Sequence, residues 1–165
     1  MEKDANSMNI GVKNIYLLGF TVNELVFKEG VHEMDINISQ ETAFTTTPLE
    51  LGSFTVILKY VYKETNELVL ETKVVTLFHL QGLNELIAAK EKKKEPIILP
   101  REVLITCLSL SLSHTRVYLH QNIASTVYAN VIPLPIFNPT ELANILYKED
   151  ITFDKTKKLV KQEKK

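Results

Sequence analysis

Between residues 12 and 80, apolar positions recur with the short rhythm of strands. Val12, Ile15, Leu17, Leu18, Phe20, Val22, Leu25 and Phe27 form one long run, whose tail alternates with Thr21, Asn23 and Glu24. A half-buried strand alternates in this way because successive side chains leave opposite faces. Glu29-Gly30 marks a turn, after which Met34, Ile36 and Ile38 alternate with Asp35, Asn37 and Ser39. Phe54, Val56, Leu58, Tyr60 and Tyr62 share one face of a third segment, and residues 68–80 make a fourth. The polar stretch 63–67 between these two predicts a hairpin turn. One apolar face and one charged face predict an antiparallel sheet covered on one side.

Beyond residue 80 the rhythm changes. Residues 81–99 read as a connection, with Leu83, Leu86 and Ile87 on one short amphipathic turn and a charged, solvated loop at 90–95. Pro100 suits the opening of a helix, and Ile105, Leu108 and Leu112 follow at helical spacing. The run Leu108-Ser109-Leu110-Ser111-Leu112-Ser113 alternates like a strand. Helix is nevertheless preferred, because Pro100 opens it and no turn residue interrupts it. Such a helix is apolar around much of its circumference, which predicts burial by its own sheet and by a partner subunit. Pro133 and Pro135 end any helix in the region 123–135. A second helix starts at Asn138 as N-cap, with Pro139 and Glu141 in its first turn and Leu142, Ile145 and Leu146 on its apolar face. The expected fold class is α+β: a four-stranded antiparallel sheet with two helices packed on one face.

Composition narrows the functional classes. A chain of 165 residues predicts one domain, divided here into a flexible N-terminus (1–11), a folded unit (12–147) and a tail (148–165). That tail carries seven Lys against four acidic residues, whereas the whole chain has net charge -1. Such a balance gives no electrostatic case for nucleic acid. The single Cys, Cys107, excludes an intramolecular disulfide. No leader is visible in residues 1–8, and the most apolar segment, 103–112, is too short to insert in a membrane, so a cytoplasmic protein is expected.

Catalytic chemistry finds no constellation. The histidines His32, His79, His114 and His120 lack metal-ligand spacing, and the five glycines form no phosphate loop. Ser113 and His114 are adjacent, so their side chains point apart and make no dyad. Cys107 lies in an apolar stretch and reads as a core residue. No enzyme activity, cofactor or metal is expected. What stands out is apolar surface. Phe78, Leu80, Leu83, Leu86 and Ile87, with Leu134, Ile136, Phe137, Leu142 and Leu146, suit either a core or a docking groove.

The order of these elements resembles the SecB protein-export chaperone family. Ile15-Tyr16 followed by Glu24-Leu25-Val26-Phe27 resembles its first strand, and Leu68-Val69-Leu70-Glu71-Thr72 through Gly82-Leu83 its fourth strand and the start of its crossover. Ile98-Leu99-Pro100-Arg101 is similar to the opening of its long helix, and Ser113-His114-Thr115-Arg116 to that helix's end. Ile132-Pro133-Leu134-Pro135-Ile136-Phe137-Asn138-Pro139 resembles its Pro-rich link. The match spans residues 12–147.

The resemblance implies an ATP-independent holdase for unfolded or extended apolar polypeptide, with protein export as one setting. It implies a peptide groove at Phe78, Leu80, Leu83, Leu86, Ile87, Phe137, Leu142 and Leu146. It also implies a homo-oligomer, a dimer of dimers, held through Ile105, Leu108 and Leu112. Glu24 and Glu71 match two carboxylates with which the sheet face of family members docks the translocation motor ATPase. Departures are Val117 where the family has Gly, a longer stretch at 117–131, and Lys28, Lys59, Lys63 and Lys73 among the acidic positions. Two other readings stay open: a dedicated chaperone of one client, such as an antitoxin, and a non-chaperone scaffold.

Overall fold

Four long strands carry the fold: β1 (Asn9–Val22), β2 (Met34–Thr45), β3 (Leu51–Tyr62) and β4 (Leu68–Gln81). The computed structural model describes residues 8–30, 32–45, 49–95, 97–147 and 152–153. The strands form one antiparallel sheet in the order β1-β4-β3-β2. β2, β3 and β4 are successive hairpins, and β1 returns beside β4, which is a Greek key. The β3–β4 turn lies where the polar stretch predicts it, with Asn66 in the left-handed region at φ 57°, a conformation Asn tolerates.

This order places the crossover differently from the sequence-based expectation. β1 and β2 occupy opposite edges, so the chain between them must cross the sheet. The crossover is therefore residues 23–33, not the segment that follows β4. Within it, Glu24–Val26 form a 3-10 turn rather than more strand. The segment crosses on the helix side: Phe27 meets the Tyr128 ring edge-on at 5.3 Å, and the Lys28 ammonium sits 4.8 Å over the Tyr62 ring.

After β4 come α1 (Leu83–Lys93), the short β5 (Ile97–Ile98), α2 (Arg101–Ile123) and α3 (Pro139–Leu146). Among the described residues three α-helices, not two, thus accompany the sheet. α1 replaces the expected short turn, and its last turn takes up Lys90, Lys92 and Lys93 of the expected loop. Its start is capped from a distance. Gly82 has no side chain to offer, so a carboxylate oxygen of Glu50 accepts from the Gly82 N–H at 3.2 Å and the Asn84 N–H at 2.8 Å. α3 begins as expected, the Asn138 side chain accepting from the Thr140 and Glu141 N–H groups at 3.0 and 3.4 Å.

The alternating Leu-Ser run is helix. Buried hydroxyls are satisfied locally: Ser111 donates to the Cys107 carbonyl and Thr115 to the Ser111 carbonyl, each at 2.7 Å. The core lies between the sheet and these helices, with Phe54, Leu58, Tyr60, Phe78, Leu80, Leu83, Leu108 and Leu119 fully enclosed. Gly52 belongs to its packing, since a Cβ there would lie 2.9 Å from a Leu80 methyl.

The domain edges shift slightly. β1 begins at Asn9, three residues before the expected boundary at 12. Thr152–Phe153, β6, pairs antiparallel with Ile97–Ile98; the rest of the expected tail from 148 to 165, and residues 1–7, lie outside the described residues.

Candidate functional site

Most residues nominated for a groove are core in this chain. Phe78, Leu80 and Leu83 are fully buried, and Leu86, Ile87 and Leu142 nearly so. The reason is α1. Read as a short turn, it could not cover the end of the sheet. As an 11-residue helix it turns Leu83, Leu86 and Ile87 into the same core as Phe78 and Leu80. Of the eight nominated residues, Phe137 and Leu146 remain half-exposed.

The interface residues need the same correction. At about 100° per residue, Leu108 and Leu112 share a direction, and the sheet claims it: both are buried in the core. Leu110 faces the other way and is half-exposed, as is Ile105. The outer face of α2 therefore carries Ile105, Ser109, Leu110, Ser113 and Val117, with exposed Glu102, Thr106 and His120 on the same side.

Glu24 does not lie on the sheet. It sits in the 3-10 turn, where a carboxylate oxygen accepts from the Val127 N–H at 3.3 Å and ties the crossover to the chain after α2. Glu71 lies on the open face but is ion-paired with Lys59 at 2.8 Å. Glu41 on the same face approaches Lys73 at 3.6 Å. The charges of this face neutralise one another rather than forming an acidic field.

What sequence reasoning missed is a trough over β2. Met34, Ile36 and Ile38 point toward the helix side, opposite Tyr62, Tyr60 and Leu58 of β3. Their β3 partners are buried, yet they are only half-buried themselves. The helix layer stops short of this edge. Leu134, Phe137 and Leu146, on the link and α3, are likewise half-buried against the core. Two hydrogen bonds fix the wall above the floor. Tyr60, opposite Ile36, donates its hydroxyl to the Pro133 carbonyl at 3.0 Å. Tyr147, at the end of α3, donates to the Gln40 side chain. Burial pushes both phenols well above their ordinary range, with the Arg116 charge opposing at Tyr60 and hydrogen bonding with Thr42 and Gln40 opposing at Tyr147. Both stay neutral at physiological pH. The trough thus offers apolar side chains and the neutral phenols of Tyr60 and Tyr147, beside a strand that, among the described residues, pairs on one side only.

The Cys107 thiol is buried and pushed up to about 12, so it carries no thiolate at neutral pH. Ser113 donates back to the Ser109 carbonyl, whereas His114 faces Thr76 with its Nδ1 at 3.1 Å, so the two diverge as expected. Among the described residues no group of His, Cys, Asp and Glu could hold a metal ion, and no helix is long and apolar enough to cross a membrane.

No family model matches the sequence, and no curated protein matches it. Among solved structures, the chain is similar to the Mycobacterium tuberculosis SecB-like chaperone Rv1957, solved in complex with a ChAD peptide from the antitoxin HigA1 (Rv1956). The TM-score is 0.50 at 10% identity, covering 78% of this chain and 88% of that one. The fold is SecB-like. A protein of unknown function from Streptococcus agalactiae also aligns, over 90% of this chain and 98% of its own, at 14% identity and a TM-score of 0.32, too low to carry weight.

Proposed function

We propose that this protein is an ATP-independent holdase chaperone that binds extended, apolar segments of non-native polypeptide. The observation that carries this reading is the trough: a row of half-buried apolar side chains beside a strand that, among the described residues, pairs on one side only. Each Å² of apolar surface buried there contributes about 25 cal/mol, and burial of this kind recognises apolar segments without demanding one sequence. The SecB-like fold supports the reading at the level of architecture. The groove of the proposal is Met34, Ile36, Ile38, Leu134, Phe137 and Leu146. Phe78, Leu80, Leu83, Leu86, Ile87 and Leu142 belong to the core beneath it.

Copies of the chain associate, in this proposal, through the outer face of α2 around Ile105, Leu110 and Val117 and the apolar side chains of β1, giving a dimer of dimers in the cytoplasm. Motor docking on the open face is not part of it, because Glu71 is already paired and Glu24 lies elsewhere.

A second reading is favoured by one finding. The structurally similar chaperone was solved with a peptide from an antitoxin, so this chain could serve one dedicated client. The test is suppression of aggregation, without nucleotide, of two unrelated denatured proteins diluted into buffer. Suppression of both at near-stoichiometric ratio supports the general holdase. Suppression of neither sets it aside in favour of the dedicated client or a scaffold.

A further inference from the structure

Among the described residues, two buried side-chain atoms have no hydrogen-bond partner: the Thr72 hydroxyl oxygen and Arg116 Nε. Thr72 is a neutral group inside the core. Arg116 keeps its charge at any physiological pH. Yet no ion pair among the described residues includes it. The chain's other arginine, Arg101, donates to the Asn144 side chain. Arg116 is half-buried. Withdrawing a charge from water is unfavourable unless another group compensates it, and no described residue supplies that group.

The position of Arg116 says where the missing group would come from. His114, on one flank of α2, meets Thr76 of β4 through its Nδ1 at 3.1 Å. Two residues on, about 200° around the helix, Arg116 leans to the opposite flank, toward β3. Its charge acts there on the buried Tyr60 phenol. Tyr60 stands opposite Ile36 of the trough floor. Its hydroxyl is committed to the Pro133 carbonyl, at the start of the link that carries Leu134 and Phe137. The one cation acting on Tyr60 therefore stands on the trough side of α2, without a counterion.

We propose that Arg116 is a carboxylate-recognising residue at the inner wall of the trough: a bound segment sets one carboxylate against the guanidinium while its apolar side chains fill the trough. A carboxylate is the anionic group an unmodified polypeptide carries, and its two oxygens match the guanidinium fork. The proposal rests on the holdase reading and deepens it, because it adds a required charge to the pattern of the client. The carboxylate comes from an Asp or Glu side chain or from a chain end.

The probe is a fluorescein-labelled alternating peptide: Val or Ile alternating with Ser or Thr over nine residues, two Lys next to the label, and an amidated C-terminus. Binding to the full chain is read by fluorescence anisotropy. Glu and Gln replace each of the nine positions in turn, and a further peptide carries a free C-terminal carboxylate. At one position or more, Glu should bind at least tenfold more tightly than Gln, or the free end at least tenfold more tightly than the amide. The first result assigns the site to side chains, the second to chain ends. No preference of either kind overturns the proposal. Arg116→Met and Arg116→Gln remove the charge and keep much of the stem. Whichever folds should hold the uncharged parent peptide within threefold of the native affinity and lose the preference. Arg116→Lys should keep a preference of at least threefold. A preference that survives removal of the charge, or parent binding that is lost with it, overturns the proposal. If no peptide binds while the protein still suppresses aggregation, carboxylate recognition falls and the holdase reading stands. If suppression fails too, both fall.

Discussion

β1 and β2 are the two edges of one sheet, and they solve the same problem in opposite ways. Among the described residues both pair with a neighbour on one side only, and both carry apolar side chains. β1 is broken by two register shifts, between Val12 and Asn14 and between Leu17 and Gly19, and it includes Lys13. Of its exposed residues, Val12 is set apart from Tyr16 by the first shift, and Leu18 sits within the second. A bulge twists an edge and interrupts its ladder, so β1 offers side-chain surface rather than a template for a foreign strand. β2 is regular throughout, and Met34, Ile36 and Ile38 share its helix-side face. Exposed apolar area is thus a poor guide to a binding site; β1 exposes more of it, but β2 has the geometry to hold a chain.

The largest effect separates core from trough. Phe78→Ala removes a fully buried ring packed edge-on against Phe54 at 5.4 Å, which should cost about 3–5 kcal/mol. For a chain of this size that lowers Tm by roughly 10 °C, measured by thermal denaturation. An unchanged Tm would return Phe78 to the exposed surface. Next comes the trough wall. Phe137→Asp should weaken binding of the alternating peptide at least tenfold, or about 1.4 kcal/mol, with far-UV circular dichroism unchanged. Binding that survives would remove Phe137 from the site.

A smaller effect is expected at β1. Tyr16→Lys with Leu18→Lys should shift sedimentation toward smaller species and leave peptide affinity within twofold. Lost affinity would break the distinction between the edges. The smallest effect is on pH. Burial lowers the His114 pKa from its ordinary 6.5, so the unfolded chain takes up its proton first as pH falls. The stability contributed by neutral His114 is full above 6.5 and declines as pH drops through the lowered value. His114→Gln should flatten denaturation midpoints across this acidic window, and an unchanged slope would assign it to other groups.

Features written in local sequence were legible. The β3–β4 turn needs only a few polar residues, and the α3 cap needs only Asn138 and Pro139. α1 was not legible as a helix, because its start is capped by Glu50, more than 30 residues away, and its end is a run of Lys that reads as loop. Strand order was hidden for a related reason: pairing of β1 with β4 is a long-range choice that a period of two does not record. Alternation in Met34, Ile36 and Ile38 was visible, but it says which residues share a face, not whether a helix covers that face. The groove was accordingly sought among the most apolar residues, which the core had taken.

The most direct measurement is amide hydrogen exchange along both edges, with and without a saturating alternating peptide. If β2 floors the docking trough, the peptide slows exchange at N–H groups between Met34 and Thr45 and adds no protection in β1 between Asn9 and Val22. Protection appearing in β1 alone, or in neither strand while the peptide is bound, would contradict it.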